Sequence, residues 1–347
     1  MQRPTGPSYI PTLDGWRAVA IVGVLLCHAF DQRSIFNLGE LGVMLFFGIS
    51  GFLITNRMLR ECEKTGRLSL KNFYIRRVFR ILPPAFFYLA VVYLLGRLGI
   101  IASTGKEILA CIFFVRNYVT DQGWYTSHFW SLSVEEHFYL IWPAIFVLAG
   151  RKRAMWVAPL LALATIAWRT VDGHYQVALH LTNNPVFAPG NPFRSDYCAD
   201  GLFWGCTLAL WLPLVRRVPR AIGTPLCVLI AAVVLGARYF GVSHHYAIAG
   251  VGMALLIGST VLKPESWLGR FLELAPIRFV GRISYSLYLW QMLFLTWFPQ
   301  YAWQHLPLNV LFAVTCAVFS YYVIERPLIK TGHRLTHTRV PQEAVAA

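Results

Sequence analysis

The sequence predicts an all-α integral membrane protein: a polytopic bundle of about ten transmembrane helices plus one short re-entrant or interfacial segment. Three observations predict it. Apolar residues make up 56% of the 347 and charged residues only 14%, against about 25% charged in an ordinary soluble domain. Apolar runs recur along the chain; at about 20 residues per crossing, ten of them use roughly 200 positions and leave only short connections. The 31 Lys and Arg, which give a formal charge of +15, fall between those runs. A nucleic-acid partner calls for one basic face, whereas basic residues gathered in alternate connections are an orientation signal.

Taken in order, the first run, 12–31, carries Arg17 and is followed by no A-x-A-like site, so it is expected to remain in the mature protein. The second, 37–56, contains Gly48-Ile49-Ser50-Gly51, whose small-x-x-small spacing lets helices approach closely. A third, 81–100, follows Arg76, Arg77 and Arg80. The run 107–119 is short and holds Arg116 and Asn117, so it is the candidate re-entrant element. The runs 134–150 and 155–171 are separated by Arg151-Lys152-Arg153; 198–215, 222–240, 246–263, 283–299 and 306–325 complete the ten. If 107–119 does not cross, 24 of the 31 Lys and Arg lie on one side. If it crosses, every basic cluster from Arg151 onward moves outside, against the positive-inside bias. Ten crossings with both termini in the cytoplasm follow, with a transmembrane domain over 1–335, a tail over 336–347 and a bacterial inner membrane as the location. The seven cysteines are an odd number without C-x-x-C spacing and read as small core residues.

Ionisable groups inside membrane spans cost several kcal/mol and are by default candidates for function. Arg17 and His28 lie eleven positions apart in the first run, which on a helix is within about 20° of three full turns and about 16 Å of rise. One stripe therefore presents a permanent cation at the inner edge and a titratable imidazole toward the outer side. The bland alternative is a snorkelling Arg17 and a His28 bonded to a neighbouring carbonyl.

This pair resembles the R-x10-H signature of the membrane acyltransferase-3 family. Further stretches agree in order: Gly48-Ile49-Ser50-Gly51-Phe52-Leu53, Arg76-Arg77-Val78-Phe79-Arg80, Trp130-Ser131-Leu132-Ser133-Val134-Glu135-Glu136, Ile283-Ser284-Tyr285-Ser286-Leu287-Tyr288-Leu289-Trp290 and Glu325-Arg326-Pro327. The resemblance implies a ten-helix enzyme that moves an acyl group, usually acetyl from acetyl-CoA, to a hydroxyl of a glycan, lipid-linked sugar or small metabolite. It implies that His28 is catalytic and that Arg17 helps to hold the donor. The chain departs from the family pattern twice, with Gln291 where many members have a histidine after Tyr-Leu-Trp and with Cys198 where an arginine often precedes Ala-Asp-Gly. The second departure leaves Arg194 as the nearest candidate for an acceptor-binding arginine. The chain ends about twenty residues after Pro327, short of the esterase-like extension frequent in the family.

The residue chemistry fits the same reaction. Coenzyme A is polyanionic, and Arg17, Arg76, Arg77 and Arg80 offer planar donors suited to phosphate; the competing reading is that the arginines set topology and touch lipid headgroups. A hydroxyl needs its proton accepted, which makes His28 the candidate general base, with Glu135 or Glu136 as the carboxylate that orients it. Helix capping is the alternative for Glu135, Glu136, Ser131 and Ser133. Trp130 and Ser133 are candidates for an acceptor-binding mouth, and Asp200, within an apolar run, joins Arg194 there. Glu325 and Arg326 read as a local ion pair. The other histidines, His128 and His137 among them, show no metal spacing, so no metal and no permanently bound cofactor are expected. The competing function is a transporter or flippase for a lipid-linked sugar or small solute, because buried charges line transport paths too. Its expected repeated halves are not visible in the sequence.

Overall fold

The computed structural model describes residues 9–30, 38–119, 123–187, 191–215 and 245–337, and all regular structure among them is helical. The span expected over 222–240, the pair Arg216-Arg217 and Cys227 lie outside the described residues. In chain order the longer helices begin with α1 (Pro11–Ala29), α2 (Leu38–Thr65), α3 (Leu70–Arg97), α4 (Gly105–Ile112) and α5 (Phe129–Tyr175). Then come α6 (Val177–Thr182), α7 (Ser195–Cys198), α8 (Asp200–Val215), α9 (His245–Leu262), α10 (Trp267–Leu272), α11 (Ala275–Arg282) and α12 (Ser284–Phe294). The chain closes with α13 (Leu308–Phe319), a π-helical turn Ser320–Glu325 and α14 (Arg326–His337).

Five stretches are long and apolar enough to cross a bilayer: α1, α2, α3, 124–175 and 308–336. That is fewer than the ten expected, for identifiable reasons. The runs 134–150 and 155–171 belong to the one element α5, and 222–240 is not described. The apolar helices α8 and 249–262 are shorter than a full span. The expected run 283–299 loses its helix at Phe294, where Leu295 turns extended.

Local chemistry sets the helix starts. Pro11 opens α1 with its φ already helical, and the Ser69 hydroxyl caps α3 by accepting the Asn72 N–H at 3.3 Å. Thr104 caps α4 in the same way, taking the Glu107 N–H at 3.3 Å. An eight-residue α4 rises only about 12 Å, far short of a hydrocarbon core of about 30 Å. After it the backbone turns at Phe114 (φ 53°) and Ser133 Oγ accepts the Arg116 N–H at 3.2 Å, folding the segment back onto the start of α5. The 107–119 run is thus a short helix and a return, not a helical crossing.

Within α5 the backbone breaks at Gly150 (φ 70°, ψ 161°), a conformation open to glycine because it lacks a Cβ. The contacts on either side show that the chain reverses there. Before the break, Glu135 meets Ser50, Trp142 meets Thr55 and Arg151 meets Glu63, running down α2. After it, the carbonyl of Met155 accepts from Trp211 and Arg169 reaches Asp200, running back up α8. Asp200 is level with the start of α2, since Gly201 faces Met44 and Phe47.

Close approach of α2 and α8 depends on glycine on both helices. A Cβ at Gly51 would overlap the Leu202 carbonyl, and one at Gly205 would overlap the Gly48 carbonyl. The small-residue motif therefore serves packing, which in lipid drives helix association in place of a hydrophobic force. Buried indoles add directional bonds: Trp142 Nε1 donates to Thr55 Oγ1 at 2.9 Å and Trp16 Nε1 to Thr260 Oγ1 at 2.8 Å. The six described cysteines carry no disulfide, and Cys27, Cys111 and Cys206 are buried as small core residues.

Candidate active site

Two groups of side chains stand along the bundle interior, joined by the inward stripe of α1. The first surrounds His28. Its Nδ1 lies 3.1 Å from Gln291 Oε1, and Trp124 packs edge-on to the ring with centroids 5.9 Å apart. An amide oxygen only accepts, so Nδ1 donates this bond and, in the neutral ring, Nε2 keeps the lone pair. The carboxylate expected to orient His28 is not there. Gln291, on α12, holds the ring instead, and the departure from the family's histidine turns out to fill the same place with a neutral acceptor.

The second group is basic and lies about half-way along α2. Ala20 sits against Gly42, and Leu13 and Trp16 pack with Ile49 and Phe52. These contacts put Arg17 deeper in the bundle than the inner edge the sequence suggests. Around Arg17 stand the charges of Arg80, Asp14 and Glu135 and the Tyr139 hydroxyl. Those acting on Arg57 are all cations, Arg77, Arg80, Arg17 and Arg76. Arg76 is neutralised by Glu61 at 2.7 Å. Arg77 lies over the rings of Tyr139 and Phe73, 4.7 and 5.8 Å from their centroids. Among the described residues, Arg17, Arg57 and Arg80 have neither a hydrogen-bond acceptor nor an ion-pair partner. Arg57 is exposed, with these other charges around it.

The carboxylates of this group are held by hydroxyls rather than by arginine. Glu135 accepts from Ser50 and from Tyr139, each at 2.9 Å. Glu325 is buried and accepts from Ser286 at 2.9 Å, within the field of Arg80 and Arg17. The π turn aims Glu325 inward, while Arg326 lies 5.7 Å over the Tyr322 ring, so the local ion pair expected between them is absent. Glu136 is half-buried beside Arg77 and Glu135.

The remaining candidates gather at the outer end. Arg194 is 1% exposed. It donates to Asp172 at 2.8 Å, to Asp196 at 3.1 and 2.5 Å and to the Phe187 carbonyl at 2.7 Å, and it stacks on Tyr197. Burial opposes its charge, yet the bonds to Asp196 and Asp172 outweigh this and hold its pKa above the usual guanidinium value. Arg194 therefore staples the outer connection to the end of α5. Asp200 pairs with Arg169 at 3.1 Å through one oxygen and leaves the other without a partner. Ser133 Oγ, which donates to the Phe129 carbonyl at 2.8 Å and accepts from Arg116, is a clamp on the returning segment. Trp130 stacks on Phe193 at 4.5 Å and meets Phe47 edge-on at 6.3 Å.

Over residues 10–326 the chain matches the acyltransferase domain family. It belongs to that family. Among curated proteins, a Staphylococcus aureus (strain COL) protein with a provisional O-acetyltransferase name is 30% identical over 96% of this chain and 60% of its own length. The O-acetyltransferase OatA of Staphylococcus aureus (strain NCTC 8325 / PS 47) is 29% identical over 96% of this chain and 59% of its own. The chain thus spans about 60% of the length of these relatives. No solved structure matches it. The family match covers both groups described above, from Arg17 through Glu325.

Sequence reasoning passed over Arg57, treating it only as a topology charge. Its position supplies a signal: it lies two turns from Ser50 on the same face of α2, and Ser50 binds Glu135. Gln291 was visible only as a departure, and His128 carried no signal at all.

Proposed function

We propose that this chain is an integral-membrane O-acetyltransferase that moves an acetyl group from acetyl-CoA to a hydroxyl of a glycan, lipid-linked sugar or small metabolite. The observation that carries this reading is the set of unneutralised guanidiniums at the foot of the stripe that ends in His28. Cations clustered inside a membrane domain without acceptors are costly unless an anion joins them, and the phosphates of coenzyme A are such anions. Arg17, Arg57, Arg77 and Arg80 hold the donor from the inner side, with Arg76 at the mouth. The pantetheine arm runs along α1 for the roughly 16 Å that separate Arg17 from His28.

At the far end His28 Nε2 takes the proton of the acceptor hydroxyl while Gln291 holds the imidazole in the required tautomer. The alcohol oxygen attacks the thioester carbonyl, the carbon–sulfur bond breaks, and the departing thiolate recovers a proton from the imidazolium. Glu135 and Glu136 belong to the donor end, where their negative charge sets the balance among the arginines. The inner membrane with cytoplasmic termini is consistent with a donor made in the cytoplasm. The deciding measurement is mass spectrometry of surface glycans and small metabolites from cells with and without the gene. Loss of an acetyl-sized increment from one hydroxylated class supports the reading, and identical profiles together with no turnover of acetyl-CoA by the purified protein reject it.

A further inference from the structure

Beside His28 lies a second imidazole that the mechanism above does not use. His128 is only 2% exposed, yet neither ring nitrogen has a hydrogen-bond partner. It is enclosed by Tyr88 and Tyr288, each 5.4 Å away between centroids, and by Phe129 at 5.0 Å. Its backbone carbonyl is fixed by the hydroxyls of Tyr288 and Ser131, at 3.0 and 3.3 Å. Two short links tie it to the base. Trp124, which packs on His28, precedes His128 by four residues, and Tyr288, which packs on His128, precedes Gln291 by one helical turn.

Gln291 shows the same feature. Its Oε1 is taken by His28, but Nε2 is buried and donates to nothing. An unmade bond in a buried site is costly, and native interiors satisfy most such groups. Both groups are firmly placed, one by an aromatic cage and the other by His28, and both present N–H donors.

We infer that His128 and the Gln291 carboxamide are the donors that receive the thioester carbonyl oxygen as it becomes an oxyanion. This rests on the acetyltransferase reading. When the alcohol oxygen bonds to the carbonyl carbon, the carbonyl π pair moves onto oxygen, and the new negative charge meets two preorganised N–H groups. His28 holds the alcohol proton meanwhile. Collapse restores the carbonyl and expels the thiolate, which takes that proton. The arrangement gives Gln291 a double role, its oxygen orienting the base and its nitrogen polarising the electrophile, which a histidine at this position divides differently.

The test uses the full-length protein in lipid nanodiscs with carbonyl-labelled acetyl-CoA as the probe. With no acceptor alcohol present, so that no transfer occurs, isotope-edited infrared spectroscopy reads the thioester carbonyl stretch. A shift to lower frequency on binding, abolished by adding His128→Phe and reduced by adding Gln291→Leu, is the expected result. A shift that survives both changes overturns the donor assignment and leaves the acetyltransferase reading standing. Absence of acetyl-CoA binding to the wild-type protein overturns that reading and this inference with it. In the otherwise native protein His128→Phe, which keeps the aromatic packing, is expected to lower kcat about 100-fold, with KM for acetyl-CoA within about threefold. His128→Gln, which restores a donor, is expected to recover at least tenfold of that loss. Should His128→Phe lose its fold, the carbonyl shift in the Gln291→Leu protein decides alone: a shift equal to that of the same protein without this change overturns the inference.

Discussion

His28 and Arg57 represent the two kinds of side chain on which the proposed reaction depends, and each makes a separable prediction. His28→Ala removes the proposed base at the head of the stripe and is expected to lower acetyl transfer by about 100- to 10,000-fold while leaving membrane insertion intact. Wild-type turnover by that variant, measured as release of free coenzyme A thiol, removes the base assignment. Arg57→Ala takes one charge from a set in which its neighbours are cations. A charge-assisted bond is worth about 1.5–3 kcal/mol, so KM for acetyl-CoA is expected to rise by roughly 10- to 100-fold with kcat nearly unchanged. A lower kcat at constant KM places Arg57 outside the donor site. The pair Arg17 and His28 was legible in the sequence because one helix carries both, and helical periodicity fixes their relation without any partner. Gln291, His128 and Glu325 were not, because their meaning comes from residues 263, 160 and 39 positions away along the chain, namely His28, Tyr288 and Ser286.

Among the elements, α2 and α5 carry the most consequence. At Gly51, α2 meets α8 with no room for a side chain. Gly51→Leu forces the backbones apart, an overpacking cost of about 1–3 kcal/mol or more, so the detergent-solubilised variant is expected to unfold at a Tm several degrees lower. An unchanged Tm shows that the two helices are not in register as described. In α5 the turn at Gly150 uses a positive φ, and Gly150→Val is expected to cost about 1–3 kcal/mol through backbone strain, read by the same melting measurement. The sequence marked this turn by its basic triplet, Arg151-Lys152-Arg153, even though the helical pattern continues on both sides. It also favoured a 107–119 run that does not cross, on the placement of the basic residues, and the structure there is the eight-residue α4 followed by a reversal at Phe114. The early end of α12 was not readable, since apolar residues continue to Phe298 and only the extended backbone from Leu295 onward ends the helix.

For the molecule as a whole, the reversal at Gly150 fixes an arrangement that a reporter experiment examines directly. Fusions after Arg67 and after Arg153 are expected to report the same side of the membrane, because Arg151 meets Glu63. A fusion after Asn184 is expected to report the other side, because Arg169 has returned to the level of Asp200. Opposite readings at the first two positions overturn the hairpin and the topology built on it.

Composition and apolar run length alone determined that the chain is helical and lives in a bilayer, because in lipid every backbone polar group must be satisfied within its own segment. Helical spacing alone put Arg17 and His28 on one stripe. Only the tertiary structure decided which group holds the His28 ring, which arginines stand without acceptors and which outer residues serve as staples. Those properties are set by contacts between helices distant in sequence, and in a bilayer such contacts arise from backbone shape and hydrogen bonds that leave no periodic trace in the chain.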